Sequence, residues 1–358
     1  MFERSIHLIN TLPIVALPGD KESKGLAMFD PILVPLDGSP LAECVLPHVV
    51  ATGRAYNAKI TLLHVLDKSR SGDSEKSFDL LNWQIRKTTA KLYLDRIGDQ
   101  LQKSGLQTDT IILEGLVTES ITEFAQSQGM KLVILSSHGQ SGLRKYGIGS
   151  ITDEIILGAP TSIFIVRASE LKDLPYHRIL VPLDGSWRAE NVLPMVTLLA
   201  RIHKSQVHIV HVVKTPDLPR RLPPVQEDID LSNRIVARNR EEALQYLDQI
   251  GLNSALAGID VKTHMIISNN ATLALHELVD QEQIDLVALS AHGYSGNNQW
   301  PYGSMVNNFI LYGKVPLLVV QDLPQKEGTN RENIIQVDAR VREYSDSIPV
   351  EGRPVARN

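Results

Sequence analysis

Ser136, Ser137, His138 and Gly139 close the apolar run at residues 132–135, and ten residues past Gly139 stand Gly149 and Ser150. An apolar run of this length reads as a buried strand. The segment from 151 to 157, stopped by Gly158 and Pro160, reads as a short helix that Gly149 and Ser150 introduce. Strand, glycine-bearing loop and helix N-terminus together suit an anion. The first helical N–H groups have no intrahelical partner and lie at the positive end of the helix dipole, and glycine lets the backbone come close to a phosphate.

The same arrangement occurs a second time. Residues 286–289 form the apolar run, Ser290, Ala291, His292 and Gly293 the loop, and Gly303 and Ser304 follow at the same ten-residue offset. Gly313 and Pro316 close the second helix, and each copy then enters a β-branched run, at 161–166 and 315–320. Recurrence of so many spaced residues marks a duplicated domain.

The histidines do not extend this into catalysis. His138 and His292 lie beside no serine nucleophile motif and no carboxylate pair, so their simplest role is to order their loops through hydrogen bonds. His64, His208 and His211 fall in strand-like runs without the spacing of a metal-ligand set. The chain has no G-x-x-x-x-G-K-[ST], and Gly147-x-Gly149 lacks the third glycine and the preceding strand of a dinucleotide fingerprint.

The elements that must hold these loops follow in order. Residues 31–36 read as the first strand, ended by Asp37, Gly38 and Ser39, with Ser39 as helix N-cap and Pro40 in the first turn. Pro47, and Pro194 in the second copy, read as interior helix kinks. Strand 59–66, helix 78–103, strand 108–113 and helix 118–128 lead to the strand before Ser136. This alternation of strand and helix predicts an α/β fold of two tandem doubly wound five-stranded parallel sheets, helices covering both faces. Asp37 and Asp184, Pro47 and Pro194, and His64 and His211 are each 147 apart, whereas Gly139 and Gly293 are 154 apart, so the second copy is longer, with the extra residues expected in the proline-rich loop 215–224. The expected division is an N-terminal arm 1–29, a first domain 30–169, a second domain 177–321 and a polar, mobile tail 322–358.

With 358 residues, two cores can be buried independently; 43% hydrophobic and 22% charged residues argue against wholesale disorder. A net charge of −5 leaves no basic footprint for nucleic acid, and no apolar run reaches the ~20 residues that span a bilayer. Cys44 is the single cysteine, which excludes an intrachain disulfide and fits a reducing, cytoplasmic setting.

The segments Val34-Pro35-Leu36-Asp37-Gly38-Ser39, Ser136-Ser137-His138-Gly139 and Gly149-Ser150, with their counterparts in the second copy, resemble the universal stress protein family. In that family the pattern G-x-x-G-x9-G-[ST] marks the members that bind ATP, in a five-stranded domain that pairs through its last strand. This chain has S-x-x-G-x9-G-S twice, with Ser136 and Ser290 in place of the first glycine. The resemblance implies an internal pseudo-dimer that binds ATP, or AMP or ADP, with Mg as an accompanying ion, and acts as a stress-response sensor or regulator. It further implies a homo-oligomer beyond the pseudo-dimer and a protein partner, with no nucleic acid or membrane. By position, Gly139, Gly149 and Ser150 would meet phosphates and ribose, Asp37 would line the cleft and Val65 would meet the base, with Ser136 and His138 beside them. Asp184, Val212, Ser290, His292, Gly293, Gly303 and Ser304 would take these parts in the second copy. For Asp37 and Asp184 a plain Asx-turn is an equal alternative. The rival readings are a scaffold of the same fold that binds no nucleotide, and a weak ATPase or nucleotidyl transferase. Inside the two loops, Arg144 and Lys145 give the first a charge that the second, with Trp300, lacks.

Overall fold

The protein is described by a computed structural model covering residues 29–67, 80–139, 148–158, 161–167, 176–216, 225–252, 256–294 and 302–322. The expected arm, the tail beyond 322, most of the linker, the loop 217–224 and the loop residues Arg144, Lys145 and Trp300 lie outside the described residues.

The first half runs β1 (Ile32–Pro35), α1 (Leu46–Tyr56), β2 (Ile60–Asp67), α2 (Leu80–Lys103), β3 (Thr108–Gly115), α3 (Val117–Ser127), β4 (Leu132–Ser136), α4 (Ser150–Gly158) and β5 (Ser162–Val166). The second repeats it as β6 (Arg178–Pro182), α5 (Leu193–His203), β7 (Gln206–Val213), α6 (Gln226–Gly251), β8 (Asp260–Ile267), α7 (Ala271–Gln281), β9 (Leu286–Ser290), α8 (Ser304–Tyr312) and β10 (Leu317–Val320). All ten strands lie in one sheet of order β3-β2-β1-β4-β5-β10-β9-β6-β7-β8. Pairing within each half is parallel, and β5 meets β10 antiparallel, Phe164 opposite Leu318. The last strands thus join the halves, as the resemblance implied.

Alternate strand residues feed two apolar layers. Ile32, Val34, Ile134 and Phe164 pack with α1, α2, α5 and α6 on one face, and Leu33, Val133, Leu135 and Ile163 with α3, α4, α7 and α8 on the other. Burial on both faces explains why these strands read as unbroken apolar runs rather than alternating ones. Register also locates the added residues: Val65 and Val212 pair with Leu113 and Ile266, which are 153 apart, so six of the seven enter between β7 and β8.

The prolines correct one expectation. Pro47 and Pro194 do not kink helix interiors; each lies in the first turn of its helix, α1 or α5, where the missing N–H has no intrahelical bond to lose. Ahead of α1 the chain makes a separate 3-10 turn, Ala42–Val45, entered through a bond from the Ala42 N–H to Ser39 Oγ at 3.1 Å.

The halves also meet through side chains. Arg167, after β5, donates to the Phe309 and Ile310 carbonyls at 2.6 and 2.8 Å, which satisfies the C-terminal end of α8 with a cation. Burial lowers the Arg167 pKa to about 10. Tyr56 donates to the Met195 carbonyl at 3.1 Å, and His48 Nδ1 shares a 2.7 Å bond with Tyr176 OH. Phe164, Tyr176 and His203 complete this aromatic seam.

Burial pushes His48 down to about 3 and His203 down to about 4. Unfolded histidine titrates near ~6.5. Between these values the unfolded chain binds protons that the folded chain refuses, so stability is complete above that range and falls as pH drops, by up to ~1.4 kcal/mol per pH unit for each histidine. Denaturant titrations between neutral pH and pH about 4.5 are expected to show this decline, and His48→Gln to flatten it.

Candidate functional site

The strand order reverses between β1 and β4 in the first half and between β6 and β9 in the second, and a crevice opens outside their carboxyl ends, where doubly wound sheets bind ligands. The first crevice is a cavity of about 300 Å³ lined by Asp37, Val65, Ser136, His138, Gly139, Gly149 and Ser150 among others. The second, about 660 Å³, is lined by Asp184, Val212, Ser290, His292, Gly293, Gly303 and Ser304 among others. The fourteen candidate residues therefore stand around two clefts, although in sequence each set spans more than a hundred positions.

Local chemistry explains the positions. The Asp37 carboxylate accepts from the Ser39 N–H at 2.9 Å, and Asp184 from Ser186 at 3.0 Å, so both aspartates do form the Asx-turn. Their other oxygen lies against Gly139 or Gly293, so close that any Cβ there would collide with it. These two loop glycines are thus required by a neighbouring carboxylate, which ties the end of β1 to the end of β4 and of β6 to β9. Gly149 and Gly303 differ. A Cβ on either would meet nothing nearer than a backbone carbonyl at 3.6 and 3.5 Å, and their N–H groups already donate to Ser137 and Ala291 at 2.8 Å. The first intrahelical bond of α4 runs from Asp153 to the Gly149 carbonyl at 2.9 Å, so the donors that precede it belong to Ser150, Ile151 and Thr152.

His64 lines the first cleft, and it and its counterpart His211 each bond through Nδ1 to the carbonyl just past the adjoining strand, Leu36 at 2.7 Å and Leu183 at 2.9 Å. Ser136 turns its hydroxyl onto the His138 carbonyl at 2.7 Å, and Thr152 reaches the Ser136 carbonyl at 3.0 Å. In the second half the loop is braced differently. His292 Nδ1 bonds Asp322 Oδ1 at 2.7 Å, and Arg188 Nε bonds Oδ2 of the same, fully buried carboxylate at 2.5 Å.

Several lining residues escaped the sequence reading. Asp67 and Arg86 stand at the first cleft and Lys214 at the second. Asp67 and Lys214 close β2 and the run after β7 at equivalent places, so comparison of the two copies could have found them. Tyr302, where the first copy has Ile148, is buried beside the second cleft, and its hydroxyl and that of Ser290 have no hydrogen-bond partner among the described residues. The apolar walls supplied by Val117, Ile121 and Leu275 carry no motif at all.

The sequence profile described as "Universal stress protein family" matches residues 28–167 and, a second time, 175–321. The chain belongs to the universal stress protein family. Universal stress protein MJ0577 of Methanocaldococcus jannaschii is 30% identical over 156 residues, which is 39% of this chain and 96% of that protein. YxiE of Bacillus subtilis is 26% identical over 149 residues, 39% of this chain and all of that one. The crystal structure of a universal stress protein from Archaeoglobus fulgidus superposes on 82% of this chain and 98% of its own, with a TM-score of 0.58 at 17% identity, a likeness of fold. Among the described residues no helix is long and apolar enough to cross a membrane.

The carboxylate contact makes the glycines distinguishable. Gly139→Ala is expected to destabilise the chain by about 1–3 kcal/mol through overpacking, and much less in an Asp37→Ala background, whereas Gly149→Ala should change stability by under about 1 kcal/mol. Urea denaturation of the single and double variants checks the coupling.

Proposed function

We propose that this universal stress protein binds an adenine nucleotide, ATP foremost, in the clefts of both halves and acts as a sensor or regulator rather than as an enzyme. The observation that carries this reading is the same cleft built twice at the strand-order reversal, with helix N-terminal N–H groups at one side and an apolar wall at the other. Both volumes lie in or at the edge of the ~300–1,000 Å³ range of small-molecule sites.

In this reading Ser150, Ile151 and Thr152, and Ser304, Met305 and Val306, offer the backbone donors for phosphate at the starts of α4 and α8. Gly149 and Gly303 keep the approach open by carrying no side chain there, although a Cβ would meet its protein neighbours only in ordinary contact, at 3.5 Å or more. Val65 and Val212 supply apolar surface for the base. Asp37 and Asp184 are the carboxylates nearest the glycine loop and would hold ribose hydroxyls, or magnesium where the nucleotide brings it. The expected cytoplasmic location and homo-oligomer accompany this proposal.

One observation favours the scaffold reading in the first half. The Ser136 and Ser137 hydroxyls are both engaged with His138, at its carbonyl and its ring, and the cleft is less than half the volume of the second. Affinity is therefore expected to be higher in the second half.

Gly149→Val and Gly303→Val each place a branched side chain at the mouth of one helix N-terminus and are expected to abolish binding in their own half while circular dichroism stays native. Calorimetric titration with ATP tests this: two classes of site in the parent chain and one in each variant support the proposal, and isotherms unchanged in both variants overturn it.

A further inference from the structure

We propose that His208, His264 and Glu282 form a binding site for one divalent transition-metal ion of the zinc type, separate from both clefts. His208 Nδ1 and His264 Nε2 are 3.1 Å apart, and Glu282 Oε2 is 3.9 Å from His208 Nδ1. The three ligand atoms lie within 4.8 Å of one another, and this is the one such group of three among the described residues. In a tetrahedral site with metal–ligand bonds of about 2.0–2.2 Å, ligand atoms stand roughly 3.3 Å apart. Closing the cluster on an ion thus takes side-chain rotation and no movement of the sheet. Two imidazoles and one carboxylate suit zinc, cobalt or nickel, and leave a fourth position for water.

The orienting groups around the ligands are already in place. Gln206 Nε2 donates to Asp260 Oδ2 at 2.8 Å, which turns its amide oxygen onto His208 Nε2, also at 2.8 Å. An amide oxygen only accepts, so Nε2 of His208 carries the proton and Nδ1 presents its lone pair toward His264. A metal-binding histidine is commonly held through its other nitrogen in this way. Without metal, His264 donates its Nε2 proton to that lone pair. When the ion takes the proton's place, neutral His264 carries its proton on Nδ1 instead.

Nothing in the fold demands these residues. Leu63 pairs with Ile111 as Val210 pairs with His264, so the first half has Thr61 where the second has His208 and Ile111 where it has His264. Gln128 caps α3 as Glu282 caps α7. The same sheet edge therefore forms in the first half without one histidine or carboxylate of the set. Glu282 ends α7 shortly before β9 begins, which puts the cluster at the end of the sheet where the strands enter, opposite the clefts at their exits. Lys262 donates to both Glu282 oxygens at 2.8 Å, so it holds the carboxylate in place and competes with the ion for it.

The test is calorimetric titration of the chelator-stripped full chain with zinc chloride, together with the d–d absorption of the cobalt(II) form. One zinc per chain, a tetrahedral cobalt spectrum, and loss of at least about tenfold in affinity in His264→Ala and in Glu282→Gln are expected, and Lys262→Met should tighten binding. A merely structural cluster would not give that last gain. Absence of stoichiometric zinc binding in the parent chain, or equal binding in folded His264→Ala and Glu282→Gln, would overturn the proposal.

Discussion

The antiparallel contact between β5 and β10 is the constraint on which the molecule depends. Every residue of both strands is buried, and each strand has a parallel partner on one side only, β4 or β9. A half standing alone would present an apolar strand edge with unpaired N–H and C=O groups, a liability that proteins cover or pair. Pairing the two edges removes it and makes both apolar layers continuous across the chain, since each layer draws on residues from both halves. Arg167 on the end of α8 and the His48–Tyr176 bond follow from that junction, because each needs the partner half in place.

With the sheet joined, each half positions its cleft by one local device: a carboxylate at the end of one central strand seated against a glycine at the end of its neighbour. The two halves then diverge around a common frame. The first loop is braced by serine and threonine hydroxyls, the second by the buried Arg188–Asp322–His292 chain. Asp322 is fully buried, and Arg188 pairs its charge while His292 takes its second oxygen. This bracing from outside the loop accompanies the larger second cleft.

Much of this was legible in the sequence. The duplication, the alternation of strand and helix, and the two glycine loops follow from residues close together in the chain, and strands buried on both faces announce themselves as apolar runs. The clefts were legible because the repeat supplied each residue twice. Pro47 misled because an interior proline and a first-turn proline look alike until the preceding 3-10 turn is seen. The reason for Gly139 was also hidden, since the carboxylate it accommodates is about a hundred residues away. His208 read as an ordinary strand histidine for the same cause: His264 and Glu282 come from another strand and a helix end, and no spacing rule joins them.

The proposed role requires that a family frame built twice in one chain hold nucleotide. Native mass spectrometry of the full chain, purified without added nucleotide and then exposed to ATP, tests it most directly. Adenine nucleotide mass retained on the chain is expected, one equivalent first and a second as ATP is raised. A chain mass that stays free of nucleotide at all ATP concentrations, in protein shown to be folded, would contradict it.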